Sequence, residues 1–249
     1  MWFEPTPFAR GPWDLDACHA GPPTALMVRA SERSIPEQRL VRMWVDLLRP
    51  VPMAGFRVEA EVERRGRTAS RTMVRLLDDD AVYAVSRMLH LRALDDLDVD
   101  TAEVPVPDFA SAVPGPFPIQ DTMHGEQAFP SSLDVRYDPS ASQGGGGPTV
   151  MWMRTVPILA DEEPSGAQLI CPLADSGNGI SYNGYLDRVT FINPDLQLSL
   201  AAQPQGEWFC SSVRSHWQPD GTGLTEAVLF DRRSFVGLAT QSLLLTPSS

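Results

Sequence analysis

DRVTFINPDLQLSLAAQPQGEWFCSSVRSHWQPDGTGLTEAVLFDRRSFVGLATQSLLL, residues 187–245, is the stretch whose reading decides the fold. Apolar and polar residues alternate in SLAAQ and EAVLF, the two-residue period of a half-buried strand. Turn chemistry separates the runs at Gln205-Gly206, at Pro219-Asp220-Gly221 and at Asp231-Arg232-Arg233. The segment predicts four or five strands with tight connections. It also occurs twice. Residues 43–89 (MWVDLLRPVPMAGFRVEAEVERRGRTASRTMVRLLDDDAVYAVSRML) lie under it with Phe56 on Trp208 and Pro52 on Pro204. The Gly66 turn then meets Pro219-Asp220-Gly221, Leu77-Asp78 meets Phe230-Asp231, and Ser86 meets Ala239, with one inserted residue. A repeat of this length is a whole small domain, so the chain reads as two copies of one fold.

Outward from the repeat, each copy has one helical stretch before its strands. In the first, His19-Ala20-Gly21-Pro22-Pro23 opens a mostly apolar run over 24–34. Proline suits the first helical turn, where its missing N–H is not needed, and Ile35-Pro36 closes the run. In the second, 165–175 takes the same place, with Ser165 as N-cap. Pro172 predicts a kink or an early end there, and Gly177-Asn178-Gly179 a terminator. Further strands are expected at 133–137 and 150–156, and the glycines at 143–147 read as a loop tip. Residues 93–116 are acidic, rich in proline and without a period. The predicted organisation is one unit over 1–92, a linker over 93–116 and a second unit over 117–249. A helix wrapped by a curved antiparallel sheet, twice over, can continue one sheet edge to edge and so hide edge strands.

Composition narrows the function. A net charge of −12 argues against a nucleic-acid or anionic-membrane surface. The sequence has no lysine, which excludes Schiff-base chemistry and leaves arginine as the fixed cation for a phosphate. Cys18, Cys171 and Cys210 are too dispersed for a zinc site or a disulfide framework, and His19, His90 and His124 for a metal set. No cofactor is expected. MWFEPTPF has neither a basic nor an apolar leader region, so a cytoplasmic protein is expected.

The residues HAGPPTALMVRA followed by VDLLRPVP, with FINPDLQL, GEW and DGTGLTEAVLFDRRSFVGLATQSLLL in the second half, resemble the acyl-CoA thioesterases of the double hotdog type, in the thioesterase II-like branch. The resemblance covers nearly the whole chain. It implies an α+β fold of two tandem hotdogs with continuous sheets. It also implies a fatty acyl-CoA substrate hydrolysed to free acid and CoA, and a homo-oligomer such as a dimer of double hotdogs. The machinery it implies is a carboxylate, a hydroxyl and a glutamine around a water, all in the second hotdog. Carried onto this chain, the carboxylate falls on Asp195 and the glutamine on Gln241. The hydroxyl falls on His216, with Ser215 beside it, and no threonine stands there.

Thioester hydrolysis needs an activated water, a polarised carbonyl and space for the acyl chain. A carboxylate beside an apolar tunnel has a raised proton affinity and serves as general base; a glutamine holds the water with both ends of its amide. Backbone N–H groups at a helix start polarise the carbonyl, which puts Gly21, Ser165 and Gly166 among the candidate substrate contacts, with Pro22 next to Gly21 and Asp175 at the second helix end. Asp195 and Gln241 meet Met43 and Met88 in the other copy, as expected if one half keeps the chemistry and the other the shape. Two other readings stay open. One is an acyl-thioester binder without hydrolysis. The other is a hydratase using Asp14 and His19, which have the spacing of a hotdog hydratase pair.

Overall fold

The computed structural model describes residues 1–94, 97–119, 127–141, 148–183 and 187–248; the glycine run at 143–147 lies outside them. The first unit holds β1 (Trp2–Phe3), α1 (Gly21–Ser34), β2 (Arg39–Leu47), β3 (Phe56–Arg64), β4 (Ala69–Leu77) and β5 (Val82–Leu91). The second holds β6 (Val113–Pro114), β7 (Leu133–Tyr137), β8 (Thr149–Thr155), α2 (Gly166–Asp175), α3 (Gly177–Ile180), β9 (Val189–Ile192), β10 (Asp195–Leu200), β11 (Phe209–Trp217), β12 (Thr222–Phe230) and β13 (Phe235–Pro247).

The strands form one antiparallel sheet in the order β1-β3-β4-β5-β2-β10-β13-β12-β11-β8-β7-β6, with β9 added on β13. Read outward from the centre, β2-β5-β4-β3 is answered by β10-β13-β12-β11. The halves join where β2 pairs with β10, Met43 opposite Leu198 and Asp46 opposite Asp195. This is the expected double hotdog with a continuous sheet. Alternation builds it: Leu40, Met43 and Val45 of β2 and Leu196, Leu198 and Leu200 of β10 point to the helix side and are buried.

The two main helices fill the concave side and touch each other. An ideal Cβ on Gly21 would lie 2.7 Å from Pro172 Cα, so only glycine lets α1 approach α2 so closely. Ala25, Met27 and Val28 of α1 and Ile170, Cys171 and Leu173 of α2 are fully buried in the shared core. Ser165 caps α2, its hydroxyl accepting from the Gln168 N–H. Pro172 neither ends α2 nor stands at its end. The helix runs on to Asp175, Ser176 follows as C-cap, and 177–180 form a further short turn rather than a terminator. That break between α2 and α3 positions the site.

The burial pattern also corrects the repeat alignment. Phe56 and Phe209 are both buried at the starts of β3 and β11, so Phe56 answers to Phe209 and not to Trp208. By the same parity Met43 answers to Leu196, not to Asp195. A slip of one residue turns a side chain to the other face of a sheet. Further along, the alignment needs no change: Thr225 sits opposite Gln241 as Thr72 sits opposite Met88.

Within the stretch expected as linker, Val113 and Pro114 pair with β7 at the sheet edge. Phe109 packs on Trp208 and Trp152, with Arg232 4.4 Å from its ring centre and Arg136 at 5.3 Å. This small outer cluster, with Ala112 and Phe230, ties the segment to the second unit.

Candidate active site

A cavity of about 340 Å³ opens between the halves. Trp13, Leu47, Val51, Phe117, Ile119 and Phe191 supply apolar wall, and His19, Asp175, Asn178 and Asn193 bring polar groups to it. Such a mixture, a largely apolar space with a few converging polar groups, is the usual character of a small-molecule site.

Asp175 is the buried carboxylate at this cavity, with only 4 % of its side chain exposed. It is the last residue of α2, so its carboxyl reaches the cavity while its carbonyl enters the helix break. Asn193 Nδ2 donates to its Oδ1 at 3.0 Å, and Asn178 Nδ2 donates to Asn193 Oδ1 at 3.2 Å. On its other side, Oδ2 lies 3.1 Å from His19 Nδ1. Burial holds the Asp175 pKa above the ordinary carboxylate range, against the opposing pull of His19, of the Asn193 bond and of the Gly21 N–H. The result is a carboxylate with raised proton affinity at an apolar wall, which is what a general base requires.

Gln241 lies beneath. It is buried on the inner face of β13, and both ends of its amide hold the helix break: Nε2 donates to the Asp175 carbonyl at 2.8 Å and Oε1 accepts from the Asn178 N–H at 3.1 Å. Thr225 and Ser215 continue the same inner row on β12 and β11, their hydroxyls 2.9 Å apart. Counting from the helix starts, Ala30 occupies in α1 the place of Asp175 in α2, and Met88 stands where Gln241 stands. Asp175 and Gln241 thus have no polar counterparts in the first half.

Two family descriptions match the sequence: the acyl-CoA thioesterase N-terminal domain over residues 9–93 and the acyl-CoA thioesterase C-terminal domain over residues 102–245. The chain belongs to the acyl-CoA thioesterase family. Among solved structures, it is similar to an acyl-CoA thioesterase II of Mycobacterium marinum, with 17% identity, 94% of this chain and 91% of that one covered, and a TM-score of 0.69. It is also similar to a conserved protein of unknown function with hot dog fold from Alicyclobacillus acidocaldarius, with 15% identity, 98% and 92% covered, and a TM-score of 0.74. At these identities the likeness bears on the fold. No curated protein matches the sequence. Among the described residues no helix is long and apolar enough to cross a membrane.

For this thioesterase, the structure separates the residues that sequence reasoning had grouped. Asp195 and Gln241 do not face each other. Asp195 stands opposite Ser242 in the sheet, and its carboxylate accepts the Ser242 N–H at 2.6 Å and the Ser242 hydroxyl at 3.2 Å. Gln241, one residue earlier, points to the opposite face. His216 is exposed on the outer face with Nε2 3.2 Å from Glu226 Oε1, whereas its neighbour Ser215 is inside, bonded to Thr225. Gly21 and Pro22 open α1 beside the cavity; prolines at 22 and 23 leave Gly21 as the N–H donor of that turn, and it is already turned to His19 Nδ1 at 3.1 Å. Gly166 lies at the far end of α2, roughly 14 Å from Asp175 at 1.5 Å per residue. An ideal Cβ there would meet the Pro204 carbonyl oxygen at 1.9 Å, so its role is close packing. Asp14 lines the cavity, but its carboxylate accepts from the Asp16 N–H; the acid beside His19 is Asp175. Sequence reasoning missed Asn193 and Asn178. Asn193 sits two residues ahead of Asp195 in INPDLQL, where Asn-Pro read only as turn chemistry.

Proposed function

We propose that this family member hydrolyses acyl-CoA thioesters with Asp175, not Asp195, as the general base. The observation that carries the reading is the near-fully buried Asp175 carboxyl at the wall of an apolar cavity shared by both halves. The acyl chain occupies the apolar space, and a water beside Asp175 attacks the thioester carbonyl. Asn193 orients the carboxylate through Oδ1, and Asn178 fixes Asn193. Gln241 is a positioning residue: it bonds the backbone on both sides of the helix break and so sets where the carboxylate points. Neither Ser215 nor Thr225 is placed to supply the family's hydroxyl group directly, since each bonds the other under α3. Asn193 is the polar group that stands against the carboxylate instead.

A thiol-release assay over acyl-CoAs of graded chain length tests the activity. Asp175→Asn and Asp195→Ala, run side by side, test the assignment. The reading requires Asp175→Asn to lower kcat by about 10²- to 10⁴-fold, the range of a general base, and Asp195→Ala to stay within a few-fold of the parent. The opposite ranking would return the base to Asp195. Acyl-CoA bound without thiol release by the parent protein would instead favour a binding protein.

A further inference from the structure

Asp175 comes from the second half, but the group against its free oxygen comes from the first. His19 lies two residues ahead of α1, its backbone N–H donating to the Ala9 carbonyl at 2.8 Å. Its ring stacks on Phe129, centroids 4.0 Å apart and planes 24° from parallel, and Phe129 meets the cavity-lining Phe117 edge-on. The ring is therefore fixed in plane and in rotation. Its side chain keeps 13 % exposure and lines the cavity.

The two ring nitrogens differ. Nδ1 accepts the Gly21 N–H at 3.1 Å, which places the proton of the neutral ring on Nε2. That same Nδ1 is 3.1 Å from Asp175 Oδ2, and the Gly21 N–H also reaches the Asp175 carboxyl. Two acceptors at this distance leave room for one further proton between them. Nε2, across the ring, has no hydrogen-bond partner among the described residues, and unlike the Nδ1 of His90 it is not sealed from solvent. Burial disfavours the charged ring, so His19 rests neutral and holds the extra proton only in passing, beside the Asp175 carboxylate.

We infer that His19 is a further catalytic residue, the proton relay that connects the water-activating carboxylate to the leaving sulfur; this rests on the assignment of Asp175 as base. As water oxygen bonds to the carbonyl carbon, its proton passes to Asp175 and on to His19 Nδ1. The adduct then collapses: the C–S bond breaks, its electron pair leaves on sulfur, and the Nε2 proton moves to that sulfur. The products are the carboxylic acid and the thiol. Asp175 is again a carboxylate and His19 again neutral, with its proton moved from Nε2 to Nδ1. Exchange with solvent restores the starting tautomer.

The relay matters only where the leaving thiolate needs a proton. An alkyl thiol such as that of CoA, with a pKa near that of cysteine at about 8.5, needs one; an acidic aryl thiol does not. The test compares the parent protein with His19→Gln and His19→Asn on two thioesters of the same acyl group, one with CoA and one with a thionitrobenzoate leaving group. The expected result is a loss of roughly 10²-fold in kcat on the CoA ester in both variants and less than about threefold on the aryl ester, whose turnover also shows that the variants fold. Equal losses on both esters in variants that keep the parent Tm, or no loss on either, would overturn the relay while leaving Asp175 as base. A parent protein inert toward both esters would bring down the hydrolytic reading and the relay with it.

Discussion

Gln241→Leu separates a positioning role from a direct one. The substitution keeps the size of the side chain and removes both polar ends. The Asp175 carbonyl and the Asn178 N–H, now bonded at 2.8 and 3.1 Å, are left without those partners in the interior. Each orphaned buried group costs about 1–3 kcal/mol, so the pair costs roughly 2–6 kcal/mol. For a chain of this size 1 kcal/mol moves Tm by about 2–4 °C, which makes the expected drop on the order of 10 °C. The same change frees Asp175, the proposed base, and a misplacement of about 1 Å is enough to cost roughly 10²-fold in rate. Thermal melting and thiol release, measured on the same preparation, should therefore fall together, with KM changing less than kcat. Gln241→Glu sharpens the test. Its carboxylate still accepts from Asn178 but sets oxygen against the Asp175 carbonyl, so at neutral pH it should be as unstable as the leucine variant. A leucine variant that melts with the parent, or one that melts early yet keeps its full kcat, would refute the clamp.

Three other outcomes follow from the same geometry. Asp175→Asn should lose activity and gain stability at neutral pH. The folded pKa of Asp175 is raised by burial, so its contribution is fully favourable below the unfolded carboxylate pKa and is lost as pH rises through the folded value; above that the buried charge is a net cost that asparagine removes. A gain of about 1 kcal/mol, read as 2–4 °C in Tm near pH 8 and vanishing toward pH 4, is expected; a lower Tm at both pH values would contradict it. Gly166→Ala and Gly206→Ala form a second test. The first drives a methyl into the Pro204 carbonyl at 1.9 Å, whereas the second meets open space at a φ of +82°. Urea midpoints should show a cost of about 3 kcal/mol or more for Gly166 and about 1 kcal/mol for Gly206. Finally, the thiols should be silent in the folded protein. Burial pushes Cys18 up to about 12 and raises Cys171 and Cys210 further, so a thiol reagent at pH 8 should label them only on unfolding. Fast labelling of the native protein would contradict the packing, and slow labelling keeps the thiol-release assay free of background.

The sequence by itself determined the duplication and the helix ahead of the repeated strands in each half, and it allowed the halves to join into one sheet. These depend on local periods and turn residues: the Gly66 and Pro219-Asp220-Gly221 turns recur at matching places, and strand alternation is written directly in the order of side chains. The resemblance to acyl-CoA thioesterases was also legible there, and Gln241 was singled out on it. The carboxylate proposed as base, Asp175, was named only as a substrate contact at a helix end. Asp195 and Asp175 are both acids beside turn residues, and choosing between them needs the face on which each side chain ends. Asp195 came from the resemblance, and a register error of one residue, invisible in a repeat alignment that tolerates an insertion anywhere, set it against the inner-facing Met43. The helix end at Asp175 was legible, but Pro172 suggested an earlier end that the packing of α2 against α1 overrides, and the turn at 177–180 was not foreseen. Only the tertiary structure could bring His19 and Asp175, 156 positions apart in the chain, to 3.1 Å. Their meeting depends on the start of α1 crossing the end of α2, a contact between the two copies that neither copy encodes alone.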